Sequence, residues 1–134
     1  MGYTHYFKAK KIPSVKDWVA VIEAVDAILK ETDIPIQNNS ERMAINLNGV
    51  DPDDFETFYI DPLSKMFVGF NFCKTGRRPY DTVVVAILCA INAICGQDFD
   101  IGSDGNEADW EAGQTLAQKV SNTFIIPIRI VEEN

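Results

Sequence analysis

Metal chemistry has little to work with in this chain of 134 residues, which holds one histidine, His5, and three cysteines, Cys73, Cys89 and Cys95. The cysteine count is odd and no two form a C-x-x-C pair, which excludes a zinc finger or a disulfide scaffold. Buried, reduced thiols are the expectation, with two of them inside an apolar helical run. Basic charge is scarce as well: 12 Lys and Arg stand against 20 Asp and Glu, for a net charge of −8. That balance argues against DNA, RNA or anionic lipid as partners, because phosphate neutralisation dominates such affinities. The longest apolar run, residues 83–95, is short for a bilayer and is interrupted by Asn92. The opening MGYTHYFKAKK has no apolar centre like that of a signal peptide, and Tyr6 stands where a myristoylation motif wants Ser or Thr. The expectation is a soluble cytoplasmic protein, residues 1–134 forming one globular domain, with no membrane partner.

The hydrophobic residues, 46% of the chain, are patterned. Residues 3–11 alternate as a first strand, with Tyr3, His5 and Phe7 on one face. Ser14 caps a helix with Asp17 three residues on, and Val15, Trp18, Val19, Ile22, Val25 and Leu29 recur at helical spacing. That helix stops before Ile34-Pro35. Residues 37–42 read as a loop. Strands over 43–47, 55–60 and 65–72 follow, punctuated by turn residues around Asp51-Pro52 and Asp61-Pro62. Residues 79–95 form an apolar helix ended by Gly96. A strand over 98–101, a helix over 108–120 and a last strand over 124–131, weakened by Pro127, complete the chain. The order β-α-β-β-β-α-β-α-β predicts an α+β fold: a mostly antiparallel sheet with three helices packed on one side.

Three of the twelve basic side chains, Lys74, Arg77 and Arg78, crowd into FNFCKTGRRPYD, residues 70–81. A strand, then Lys-Thr-Gly-Arg-Arg, then a helix start offers an anion free N–H groups, the forked donors of arginine and the mobile charge of lysine. Thr75 adds a hydroxyl, Tyr80 a ring and Asp81 a carboxylate at the positive helix end. The order is not that of a Walker A loop. A solvated turn pairing with acidic neighbours is the competing reading. Tyr3, His5 and Tyr6 form a second group of polar-tipped residues suited to line a pocket. The acidic turn 100–111 matches a calcium loop only in part, through Asp100, Asp104, Gly105, Asp109 and Glu111. A tight turn at Ser103-Asp104-Gly105 before the last helix fits it better. Asp51, Asp53, Asp54 and Glu56 read as a solvated acidic turn.

The strings MGYTHYF, FCKTGRRPYD and SDG followed by Trp110 resemble those of a family of small uncharacterised proteins of tailed bacteriophages. The family's middle motif runs closer to FCKTARKPYD, and Gly76 and Arg78 here keep its charge while loosening the backbone. The resemblance implies a phage context inside a bacterial host and no mechanism. Together these readings predict a binding protein for a phosphorylated or nucleotide-like small molecule, with sequestration of a host immune signal as its use. Lys74, Arg77 and Arg78 would hold phosphates with Thr75; Tyr3, Tyr6 and Tyr80 would border a base. His5, Asp81, Ser103 and Asp104 would complete the lining, in a protein needing no cofactor or metal and able to form a homo-oligomer. Two alternatives stand beside it. One is a nucleotide- or ADP-ribose-processing enzyme using His5 with Asp81 or Asp104. The other is an inhibitor of a host defence protein, whose Asp51, Asp53 and Asp54 imitate nucleic acid.

Overall fold

A computed structural model describes residues 2–132; Met1, the first letter of the amino-terminal motif, and residues 133 and 134 lie outside them. The architecture is α+β and every strand pairing is antiparallel, as the sequence predicts. The sheet is divided, however. Strands β1 (Thr4–Ala9), β5 (Phe72–Lys74) and β6 (Phe99–Ser103) form one sheet in the order β5-β1-β6. Strands β2 (Ile36–Asn38), β3 (Ile45–Gly49) and β4 (Phe58–Ile60) form a second, in the order β2-β3-β4.

Helix α1 (Val15–Glu31) begins where Ser14 accepts a hydrogen bond from the Asp17 N–H at 3.1 Å. Its buried face is Trp18, Val21, Ala24, Val25 and Ile28, whereas Val15 and Val19 face solvent. The Trp18 indole fixes that rotation by donating to the Met43 carbonyl at 2.6 Å. Helix α2 (Asp81–Cys95) packs between α1 and α3 (Glu107–Gln118), and every residue from 83 to 91 is buried. Each Val, Ile or Leu so buried contributes about 1.5–3 kcal/mol, which makes α2 the centre of the core. The stretch Asp81–Asp98 has a mean hydropathy of 1.4, enough by length and composition for a membrane span. Here that apolar surface is covered by the protein's own strands and helices. Asn106 and Asp109 form a reciprocal cap at the start of α3.

Four elements differ from expectation, each for a local reason. Residues 37 and 38, expected in a loop, join Ile36 in pairing with 47–49 as β2. The run 65–72 does not form a continuous strand. Gly69 adopts φ 127° and bridges Ala9, while the Asn71 side chain bonds the carbonyls of Phe67 and Gly69. Residues 55–57 stay outside β4 because the Asn48 amide holds the Phe55 N–H and C=O, each at 3.0 Å. The expected last strand is a short helix, α4 (Ile128–Glu132), entered at Pro127. Proline offers no ladder N–H, and its fixed φ suits a first helical turn.

The turn between β2 and β3 closes on reciprocal Glu41–Ala44 backbone bonds and places Arg42 at φ 50°. A residue with a Cβ costs about 1–2 kcal/mol there relative to glycine. Arg42→Gly is therefore expected to stabilise the fold by about 0.5–1 kcal/mol after the glycine's own entropy cost. Urea denaturation checks this, and a lowered midpoint would contradict it.

Candidate functional site

Strand β1 is the middle of its sheet, so its residues meet both β5 and β6. The register sets His5 opposite Cys73 on one side and Ser103 on the other. Alternation sends Tyr3, His5 and Phe7 inward and Tyr6 and Lys8 outward. The three segments singled out in the sequence, around residues 3–6, 74–81 and 103–105, thus converge on one end of this sheet.

On the inner side His5 is fully buried. Its Nε2 lies 2.6 Å from Asp81 Oδ1 and its Nδ1 2.8 Å from Ser103 Oγ. The carboxylate leaves Nε2 as the donor, so a neutral ring accepts the serine proton at Nδ1. Asp81 also accepts from Thr75 Oγ1 at 2.5 Å, and Ser103 accepts from the Gly105 N–H at 2.9 Å. The rings of Tyr3 and Trp110 meet the imidazole edge to face, at 5.1 and 5.3 Å between centroids. The Tyr3 hydroxyl is buried against Gly105, where any Cβ would overlap it. Burial first, then the charges of Asp81 and Asp109, push its pKa up to about 12.

Arg77 closes this cluster from outside. Its guanidinium stands 3.9 Å over the Tyr3 ring and donates to Asp109 Oδ1 at 3.0 Å. The pose requires φ 59° at Arg77, directly after Gly76 at φ 60°. The Asn106 N–H, then Arg77, hold the Asp109 carboxyl below the usual carboxylate range. This contribution is present above the ordinary carboxylate pKa and is lost as pH falls through the lowered value.

The expected anion cradle is filled by the chain itself. The Lys74 N–H goes to Glu56 Oε1, those of Thr75 and Gly76 to the Tyr3 carbonyl, and that of Arg78 to the Thr75 carbonyl. The three cations also diverge: Arg77 to Asp109, Arg78 over the Phe55 ring at 5.3 Å, and Lys74 to the outer face of β5. Tyr80 is a core residue whose hydroxyl donates to the Glu56 carbonyl at 2.5 Å, and it lines a separate pocket of about 150 Å³ with Gly49, Asp53 and Pro79, whose lining holds no Lys or Arg. The three thiols are buried and free, and burial is the first cause of a pKa pushed up to about 12 in each. The partial calcium loop does not converge. Asp100 pairs with Lys10 at 3.6 Å, Asp104 turns to β1 and Asp109 to Arg77. Among the described residues no group of three or more His, Cys, Asp or Glu is placed to hold a metal ion.

On the outer side Asp104 accepts from the Thr4 N–H at 3.1 Å and from the Tyr6 hydroxyl at 3.0 Å, fixing the Tyr6 ring. That ring faces Phe70 at 5.7 Å and 32°, and Phe70 faces Phe72 at 5.8 Å and 38°. Phe70 is 62% exposed and Phe72 48%. Beside them lies an open pocket of about 340 Å³ lined by Tyr6, Lys8, Phe70, Asp100, Gly102, Ser103 and Arg129. The sequence reading found Tyr6, Ser103 and Asp104 here but missed Lys8, Phe70, Phe72 and Arg129. Alternation about the buried Cys73 carried the missing signal, since it sends Phe72 and Lys74 outward together.

Compared with protein-family models, with curated proteins and with solved structures, the chain matches none.

Proposed function

We propose that the protein binds a small, planar, phosphorylated molecule of nucleotide-like chemistry on the outer face of its first sheet. One observation carries this reading: two neighbouring rings tilted by 32°, the half-buried Tyr6 and the exposed Phe70, border a pocket also lined by Lys8 and Arg129. Exposed aromatic rings on a sheet stack on a base at little conformational cost, and cations beside them suit its phosphate. The pocket volume lies within the range of small-ligand sites. Asp100 and Asp104 on this face are engaged, the first by Lys10 and the second by Thr4 and Tyr6, so they repel an anion less. In the bacteriophage context that the sequence resembles, such a binder removes a host signal nucleotide from the cytoplasm by sequestration.

The pairing of His5 with Asp81 and Ser103 favours a second reading, acid–base turnover. Burial weighs against it, because Tyr3 and Trp110 pack on the imidazole and His5 has no solvent exposure. The network instead locks the 74–81 loop and the 103–105 turn to β1, which positions Asp104 and through it Tyr6.

Calorimetric titration with AMP at low salt tests the proposal. Phe70→Ala should weaken AMP binding about tenfold, the value of one stacked base, with an unchanged melting temperature because the ring is mostly exposed. Lys8→Ala should weaken binding and flatten its salt dependence. AMP that does not bind, or that binds Phe70→Ala equally well, would remove the proposal.

A further inference from the structure

We infer, building on that reading, that the ligand carries two bases: the site is shaped for a dinucleotide rather than a mononucleotide. Tyr6 and Phe70 form one stacking platform beside the pocket, and a single base covers it. Phe72 adds a third ring, 5.8 Å from Phe70 and opposite Tyr6 in the β1–β5 register, on the side of the platform nearer Lys74. It lines no part of the pocket, yet about half of its surface is exposed. An aromatic side chain left in solvent beside a stacking platform is suited to a second base.

The cations are spaced to match. Lys8 lies two residues beyond Tyr6 along β1, while Lys74 pairs with Thr4, two residues before it. The two ammonium-bearing residues therefore bracket the aromatic row, about 13 Å apart along the strand. One phosphate is served by Lys8 and Arg129 at the pocket, and a second by Lys74 at the far end. Neither lysine forms an ion pair among the described residues. The row also sets an upper limit on length. A chain with a net charge of −8 repels a long polyanion that runs past these cations, so a short, two-base ligand fits better than a nucleic-acid strand.

Calorimetric titration of the full chain with AMP and with the linear dinucleotide pApA tests the inference. The wild type should bind pApA at least about tenfold more tightly than AMP. Phe72→Thr, which preserves strand propensity, should bring the ratio of pApA to AMP affinity down to about one. Equal wild-type affinities for the two ligands would overturn the two-base inference and leave the proposed function standing. An advantage for pApA that survives in Phe72→Thr would also overturn it. Binding of neither ligand would overturn both, and a dimer that dissociates in Phe72→Thr would then assign the row to self-association.

Discussion

Replacing Asp81 with alanine should cost about 3–5 kcal/mol of folding stability, more than any surface substitution in the same loop. The carboxylate accepts from both His5 and Thr75, and neither residue has any solvent exposure. Its removal leaves two buried donors with no partner, each worth about 1–3 kcal/mol. A negative side chain in the first turn of α2 is lost as well, at about 0.3–1 kcal/mol. Urea denaturation followed by tryptophan fluorescence measures the change; Trp110 lies against His5 and Trp18 lies in the core. Asp81→Asn retains an acceptor oxygen in the same place and should lose only about 1–2 kcal/mol. In the double variant His5→Ala with Asp81→Ala the two losses should fall short of their sum, since the shared bond can be removed only once. A cost for Asp81→Ala within about 0.5 kcal/mol, typical of an exposed site, would show that the network holds nothing in place.

What the sequence disclosed about this network was its membership, and what it withheld was the pairing. His5, Thr75, Asp81 and Ser103 were all legible as polar residues beside apolar runs. Their meeting depends on β1 pairing with both β5 and β6, contacts that span 76 and 98 residues between the bonded side chains. Local periodicity carries no information about such pairings. The same limit explains Tyr80 and the basic loop. Adjacency to Lys74 and Arg77 suggested a ligand site, yet the turn that buries Tyr80 sends Arg77 and Arg78 to different neighbours. The α+β class and all three long helices were legible because capping and spacing are local properties. The 65–72 run was misread because its apolar residues alternate as a strand should, while Gly69 at φ 127° and the Asn71 side chain break the ladder. The exposed aromatic row is the other side of that misreading. Met66, Val68, Phe70 and Phe72, read as one strand, are displayed on the surface.

Gly113→Ala is expected to destabilise the protein by about 2–3 kcal/mol, although alanine is the better helix former by about 1 kcal/mol. Helices α2 and α3 approach closely at this point. An added Cβ would overlap Val85 Cγ1, lie 2.5 Å from Val85 Cβ and lie 3.1 Å from the Thr82 carbonyl oxygen. No rotamer of Val85 removes the second and third contacts, so the helices must separate, and a well-packed interior resists that. In a Val85→Ala background the cost should fall by about 1 kcal/mol without vanishing, because the Cβ contact remains. The effect should also reach the site. Trp110, one turn before Gly113 on α3, sits against His5, and Asp109 holds Arg77 over Tyr3. Displacing α3 therefore loosens the 103–105 turn that fixes Asp104 and Tyr6. Gly113→Ala should weaken AMP binding while the protein is still folded, whereas an Ala substitution at exposed Glu111 on the same helix should change neither stability nor binding. Equal stability of Gly113→Ala and wild type in urea would mean that α2 and α3 do not pack this closely, and the route from helix packing to the aromatic row would fall with it.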